Sequence, residues 1–370
     1  MMDVSRSYNR VHSWNQDVKR VGGDYTESCL LKMRHPPKAI AISNGTSSSE
    51  GTTSEYSLSS LPSHESGDGI YLVGLDRQIS LMKRDSRFYL GLPNKEFRVI
   101  NFISQHTVLT TRDILMTIKK IRLNDPNKRL ADDFNLSVGH VSKIFARSVT
   151  ILSVFFSKLV FWPKEITNKK LMPVPFRHRF MNVQSIVDCF EISIQKPQSP
   201  KYQALTWSEY KKCNTVKVLI SANPCGFINF ISKAYGGRIS DRSIVKESGF
   251  LDVVPRGSSV LADRGFKQLE GFFLAKHVKL IRPASVSANI KPTKAEIRET
   301  KRIAATRIHI ERVISRIREF RFLGPHARIH SNLVQLVDHC IVIAAGIVNL
   351  QEPIINMGDR QVRPSNRSMT

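Results

Sequence analysis

The stretch Ser185-Ile-Val-Asp188-Cys-Phe-Glu-Ile-Ser-Ile194 sets the tightest limit on what this chain can fold into. Ile186, Cys189, Phe190, Ile192 and Ile194 read as a mostly buried β-strand, and Asp188 stands inside that apolar run. A carboxylate in such a strand is costly unless a partner or a cation neutralises it. Two acids further along lie in settings that allow convergence on it. Asp263 directly follows the apolar run Val260-Leu-Ala262, and Glu311 sits on a long basic helix. The expectation from the residues is that these three carboxylates hold divalent cations.

The rest of the chain is strongly basic. Its 370 residues carry 56 Lys+Arg against 31 Asp+Glu, a formal net charge of +25 with a pI near 10.1. Such an excess points to a polyanionic partner, most simply nucleic acid; general basicity of a soluble protein is the alternative. The charge is concentrated toward the end of the chain: residues 291–330 hold 11 Lys+Arg and 4 Glu, or 11 − 4 = +7. The 41% hydrophobic content is enough for a sizeable core. Five scattered cysteines form no CxxC pair and no Cys/His set, which argues against a zinc finger or a disulfide scaffold and fits a reducing compartment. The N-terminus lacks the apolar centre of a signal peptide, and the apolar run Cys340 to Val348 is shorter than a bilayer span, so an intracellular protein with no membrane partner is expected.

Taken in order, residues 1–85 show little periodicity, and the polar tract from Ser43 to Ser60 reads as disordered. Residues 86–165 read as helical. Phe97, Val99, Ile100 and Ile103 suit a short amphipathic helix. In the next helix Ile114, Leu115, Ile118, Ile121 and Leu123 form an apolar face, with Lys119, Lys120 and Arg122 expected outside it. Lys128–Phe134 is a short helix, Asn135-Leu-Ser137 a turn with Ser137 as N-cap, and Val138 opens another helix with Val141, Ile144 and Phe145 inward. That is the layout of a helix-turn-helix whose exposed face offers Gly139, His140, Ser142, Lys143 and Arg147 to phosphates or base edges. A helical bundle packed on the following domain is the alternative. Pro173-Val-Pro175 marks a linker.

Strands are expected at Ile186–Ile194, Thr215–Ser221 and Phe227–Ser232, the last two joined by the turn Asn223-Pro-Cys-Gly226. Asp241 is a possible fourth acidic ligand, with helix N-capping favoured as its role. Ser259–Ala262 is a short strand ending in Asp263-Arg-Gly-Phe266, and an Asp at a strand's carboxyl end faces the crevice where such sheets bind ligands. A helix over Gln268–Lys276 and a strand over Val278–Ile281 follow. Lys294–Phe320 reads as one long helix with Ile303, Ile310, Val313, Ile314, Ile317 and Phe320 as its inner stripe. Glu311 stands beside Arg307 and Arg312 on it, where a plain i,i+4 ion pair competes with a metal role. Leu333–Leu350 reads as a last apolar helix, and the chain from 357 as a flexible tail.

Paired strands, a further strand ending in Asp, then a helix carrying Glu is the element order of an RNase H-like nuclease core. The expected fold class is therefore α/β, a mixed sheet flanked by helices over 183–352, preceded by a small all-α region. Tyr210 to Asp241, Ala262-Asp263-Arg-Gly-Phe266 and Arg307-Ile-His-Ile-Glu311-Arg-Val313 resemble the DDE superfamily endonuclease domain of Harbinger-type transposases. Leu130–Phe145 resembles the helix-turn-helix that commonly accompanies it. The resemblance runs over residues 88–350. It implies that Asp188, Asp263 and Glu311 are the catalytic and metal-binding triad, spaced 263 − 188 = 75 and 311 − 263 = 48 residues apart, with two Mg²⁺ or Mn²⁺ ions as cofactors. It also implies double-stranded DNA as the partner, both transposon ends and target, through a homo-oligomer in the nucleus, with an accessory DNA-binding protein as a further possible partner. His140, Ser142, Lys143 and Arg147 become the expected DNA contacts. A domesticated, catalytically silent DNA-binding protein that keeps the same fold is the alternative function.

Overall fold

The computed structural model describes residues 68–283 and 293–354. Among these, seven strands form one sheet: β1 (Val183–Ser193), β2 (Trp207–Ser208), β3 (Cys213–Ala222), β4 (Ile228–Ile231), β5 (Tyr235–Gly236), β6 (Ser259–Leu261) and β7 (Lys279–Ile281). The order is β2-β3-β1-β6-β7, with β4 and β5 also paired to β3. β1 is antiparallel to β3 and parallel to β6, and β6 is parallel to β7. This mixed sheet flanked by helices is the RNase H-like class expected from the element order.

Strand alternation divides β1 between two cores, because successive side chains point to opposite faces. Ile186, Phe190 and Ile192 enter the larger apolar cluster, which also holds the 294–318 and 337–350 helices and the helices before residue 157. Val187 and Cys189 face the smaller cluster, built with Ile244, Phe250, Phe266 and Phe273 from the helices and turns on the other side. The sheet is thus the middle of three layers. The helical region and one sheet face share a single core, so these helices are packed scaffold whatever else they do.

Lys294–Arg318 is one continuous helix, opened by a capping box in which Thr293 and Glu296 satisfy each other's backbone N–H groups. Its expected inner stripe is buried throughout: Ile303, Ile310, Val313, Ile314 and Ile317, with Phe320 just past its end. Ser137 caps the 138–157 helix by accepting from His140 N at 3.2 Å. Before it, Asn135 ends the Asn127–Phe134 helix in a left-handed conformation (φ 51°). These two caps fix the short turn between the 127–134 and 138–157 helices.

The apolar 138–157 and 331–350 segments are each long enough to cross a membrane by length and composition, which corrects the shorter run expected at Cys340–Val348. Both are core elements here. The second segment is a 3-10 stretch, Ser331–Leu336, followed by the α-helix Val337–Leu350, rather than one helix from Leu333. Gly346 lets the helices touch, since a Cβ there would lie 2.8 Å from the Phe156 carbonyl oxygen.

Other expectations need correction. The chain enters the fold earlier than residue 86, through the helix Asp68–Arg84, whose Leu75, Ile79 and Met82 pack on the core. The polar tract 43–60 and the tail from 357 lie outside the described residues. Lys119, Lys120 and Arg122 are not on an exposed face. The 111–123 helix is covered on all sides, so Lys119 pairs with Asp133 and Asp125, Lys120 donates to the Asp125 carbonyl at 3.0 Å, and Arg122 pairs with Glu319 and lies over the Phe320 ring. Buried cations of this kind are tolerated only when so partnered. The Pro173–Pro175 linker is a helical turn over Val174–Arg177 that buries Phe176.

Candidate active site

The parallel pairing of β1 with β6 decides where the first two acids meet. Ile186 is registered with Leu261, and both enter the larger core. Two residues on, Asp188 and Asp263 keep the same facing. β6 ends at Leu261, so Asp263 stands at a strand's carboxyl end beside the middle of the longer β1. Both acids point toward the layer containing the 294–318 helix.

That helix supplies the contact between them. Arg307 Nη1 lies 2.8 Å from Asp263 Oδ1, and Arg307 Nη2 lies 3.8 Å from Asp188 Oδ2. Asp188 Oδ1 also accepts from Cys189 N at 2.8 Å, and Asp263 Oδ1 caps a 3-10 turn by accepting from Arg264 N at 2.6 Å. Asp188 is well covered, with 23% of its side chain exposed, whereas Asp263 is 48% exposed. Loss of hydration raises the Asp188 carboxyl to about 6, aided by the negative charges of Asp263 and Asp241; the Cys189 N–H and Arg307 act in the opposite direction.

Glu311 lies one helical turn after Arg307, exposed, and forms no ion pair with a described residue. The i,i+4 pair with Arg307 is not made, because that guanidinium is turned to the two aspartates. Contacts therefore join Asp188 with Asp263, while Glu311 shares only the helix that bridges them. Among the described residues no group of three His, Cys, Asp or Glu side chains is gathered closely enough to hold a metal ion.

A second set of charges lies on the opposite face of β1. Glu191 and Lys217 are cross-strand partners, and Lys217 Nζ lies 3.6 Å from Glu191 and 3.4 Å from Asp241. Ser240, not Asp241, is the N-cap of the Asp241–Glu247 helix, accepting from Ser243 N. Asp241 instead sits against the Asp263–Phe266 turn, where a Cβ on Gly265 would come within 3.3 Å of its carboxylate.

The donor chemistry suits a hard divalent cation, which takes oxygen ligands from carboxylates. Asp188 and Asp263 already share one positive group, the Arg307 guanidinium. From the sequence alone Arg307 stands out only as a neighbour of Glu311. The available signal was its place one turn before an acid on a helix that must cover the Asp188 face. Lys217 and Glu191 were missed altogether, although their alternation on facing strands pairs them.

On the expected helix-turn-helix face, Gly139, His140, Ser142, Lys143 and Arg147 are all exposed. Ser142 Oγ accepts from Asn127 Nδ2 at 2.8 Å, and Arg147 donates to the Val108 carbonyl at 3.4 Å.

Residues 187–349 match the family model described as DDE superfamily endonuclease. The matched stretch begins one residue before Asp188 and takes in Asp263 and Glu311, and the helices before residue 183 lie outside it. This region is therefore similar to transposase-like nucleases, a superfamily that typically works on DNA with divalent metals. No curated protein matches the chain.

Proposed function

We propose that this chain is a transposase-type endonuclease that cuts and joins DNA phosphodiesters, with Asp188, Asp263 and Glu311 holding two divalent ions, Mg²⁺ or Mn²⁺. The observation that carries the reading is the β1–β6 register together with the shared Arg307 contact, which brings Asp188, in the middle of β1, near Asp263, just past the end of β6, under a helix bearing the third acid. Bound there, the ions would activate the attacking oxygen and stabilise the leaving one in an in-line displacement. Asp188, on β1 beneath the covering helix, would be one of the residues that hold the ions. Asp263 is about half exposed and Glu311 is exposed as well. Lys294, Arg298, Lys301, Arg302 and Arg312, all exposed on the 294–318 helix, would hold the phosphate backbone beside the acids.

His140, Ser142, Lys143 and Arg147 would provide a second DNA contact and thus select transposon ends in a Harbinger-type arrangement, in a homo-oligomer acting in the nucleus, with or without an accessory DNA-binding protein. Plasmid nicking in Mg²⁺ or Mn²⁺ by wild type and by Asp188→Asn tests the reading: the variant is expected to bind DNA and not cut it.

One observation favours the second reading, a catalytically silent DNA-binding protein. Arg307 partly neutralises Asp188 and Asp263 without any metal. Failure of the wild type to nick DNA under any divalent ion, with binding intact, would decide for it.

A further inference from the structure

Arg307 is held at the site in an unusual way. Its side chain is only 12% exposed, so its charge is largely removed from water, and the acids it meets come from two different elements, strand β1 and the turn after β6. Yet the contact is incomplete. An arginine paired with a carboxylate frequently forms a bidentate fork, with each N–H···O distance at about 2.7–2.9 Å. Here one Nη is 2.8 Å from Asp263, the other is 3.8 Å from Asp188, and the buried Nε–H has no hydrogen-bond partner. Asp188, Asp263 and Glu311 sum to −3, and Arg307 leaves −3 + 1 = −2 on the group.

We propose that Arg307 is an internal counter-cation that occupies the divalent-ion position and must withdraw when an ion binds. The inference rests on the metal-binding reading above and adds a competing group from the chain itself. A guanidinium cannot stay between Asp188 and Asp263 while an ion takes the same oxygens, because like charges a few ångströms apart in a partly buried site repel strongly. Ion binding and the Arg307 clamp are then mutually exclusive, a negative coupling within one site. Arg307 is a positioning residue in this scheme: it keeps the two aspartates aimed at each other in the empty protein, at the cost of weaker ion affinity.

The test is a Mn²⁺ titration of the full-length protein by calorimetry in chelator-treated buffer, wild type against Arg307→Gln. The neutral variant is expected to bind Mn²⁺ about tenfold more tightly or better, since one competing positive charge is gone. A residue that merely supported the fold would leave affinity unchanged or lower it when replaced. A second measurement needs no variant: labelling of wild-type arginines by phenylglyoxal, read by peptide mass spectrometry. Mn²⁺ is expected to increase labelling of Arg307 several-fold and to leave Arg122, paired with Glu319 elsewhere, unchanged. Equal Mn²⁺ affinity in the two proteins, or Arg307 labelling that does not rise when Mn²⁺ is bound, overturns the clamp alone. Absence of Mn²⁺ binding in both proteins overturns the clamp and the metal reading together.

Discussion

Gly346 and Phe156 are in backbone contact: the place where a Cβ on Gly346 would stand is 2.8 Å from the Phe156 carbonyl oxygen. The two longest apolar helices of the helical layer, 138–157 and 337–350, meet at this point. The second of them supports the face of the sheet that carries Asp188. Gly346→Ala forces the helices apart, and overpacking of this kind costs about 1–3 kcal/mol. Urea denaturation should show a lower midpoint with an unchanged slope. A midpoint equal to wild type would mean that the helices separate without cost.

Asp188 titrates high because burial disfavours its charge. Its folded value, about 6, lies above the ordinary 3.8. The folded state therefore binds a proton that the unfolded chain has already released, and stability falls as pH rises from about 4 through 6. Asp188→Asn has no charge to bury. In metal-free buffer it should be more stable than wild type by about 1–3 kcal/mol above pH 6, with the difference shrinking toward pH 4. Thermal melts of both proteins across pH 4–8 check this. A difference independent of pH would mean that Arg307 and the Cys189 N–H fully compensate the charge.

The exposed face of the 138–157 helix makes a separate claim. Lys143→Ala and Arg147→Ala should leave the stability within about 0.5 kcal/mol of wild type, as surface changes do. They should weaken duplex binding and flatten its dependence on salt, since each lost phosphate contact reduces the slope by about one. Anisotropy titrations at several salt concentrations measure both effects. Unchanged affinity would leave these helices as support for the sheet alone.

Much of this architecture can be read locally. The β1 run, the stripe of the 294–318 helix and the Ser137 cap follow from spacing and residue type, because the interactions that fix them lie within one or two turns. Leu75, Ile79 and Met82 carried the same spacing signal for the 68–84 helix, but the polar sequence before them obscured it. The meeting of Asp188 with Asp263 depends on the Ile186–Leu261 register, a pairing across 75 residues that no local pattern contains. Lys119 and Lys120 were assigned outward by chemical type, and only the packed bundle shows that Asp133 and Asp125 receive Lys119 and that the Asp125 carbonyl takes Lys120. Arg307 failed for the opposite reason: a local partner, Glu311, was at hand, and the tertiary partners prevailed.

The central claim is that Asp188, Asp263 and Glu311 act together in cutting DNA, and Glu311 is the member that no contact yet joins to the others. Residues that work as a unit lose about as much singly as together. The direct measurement is the rate of Mg²⁺-dependent plasmid nicking by wild type, by Asp188→Asn, Asp263→Asn and Glu311→Gln, and by the triple variant, at matched DNA occupancy. Each single change is expected to lower the rate at least about 100-fold and to match the triple variant. Glu311→Gln nicking at the wild-type rate, or Asp188→Asn doing so, would contradict the account.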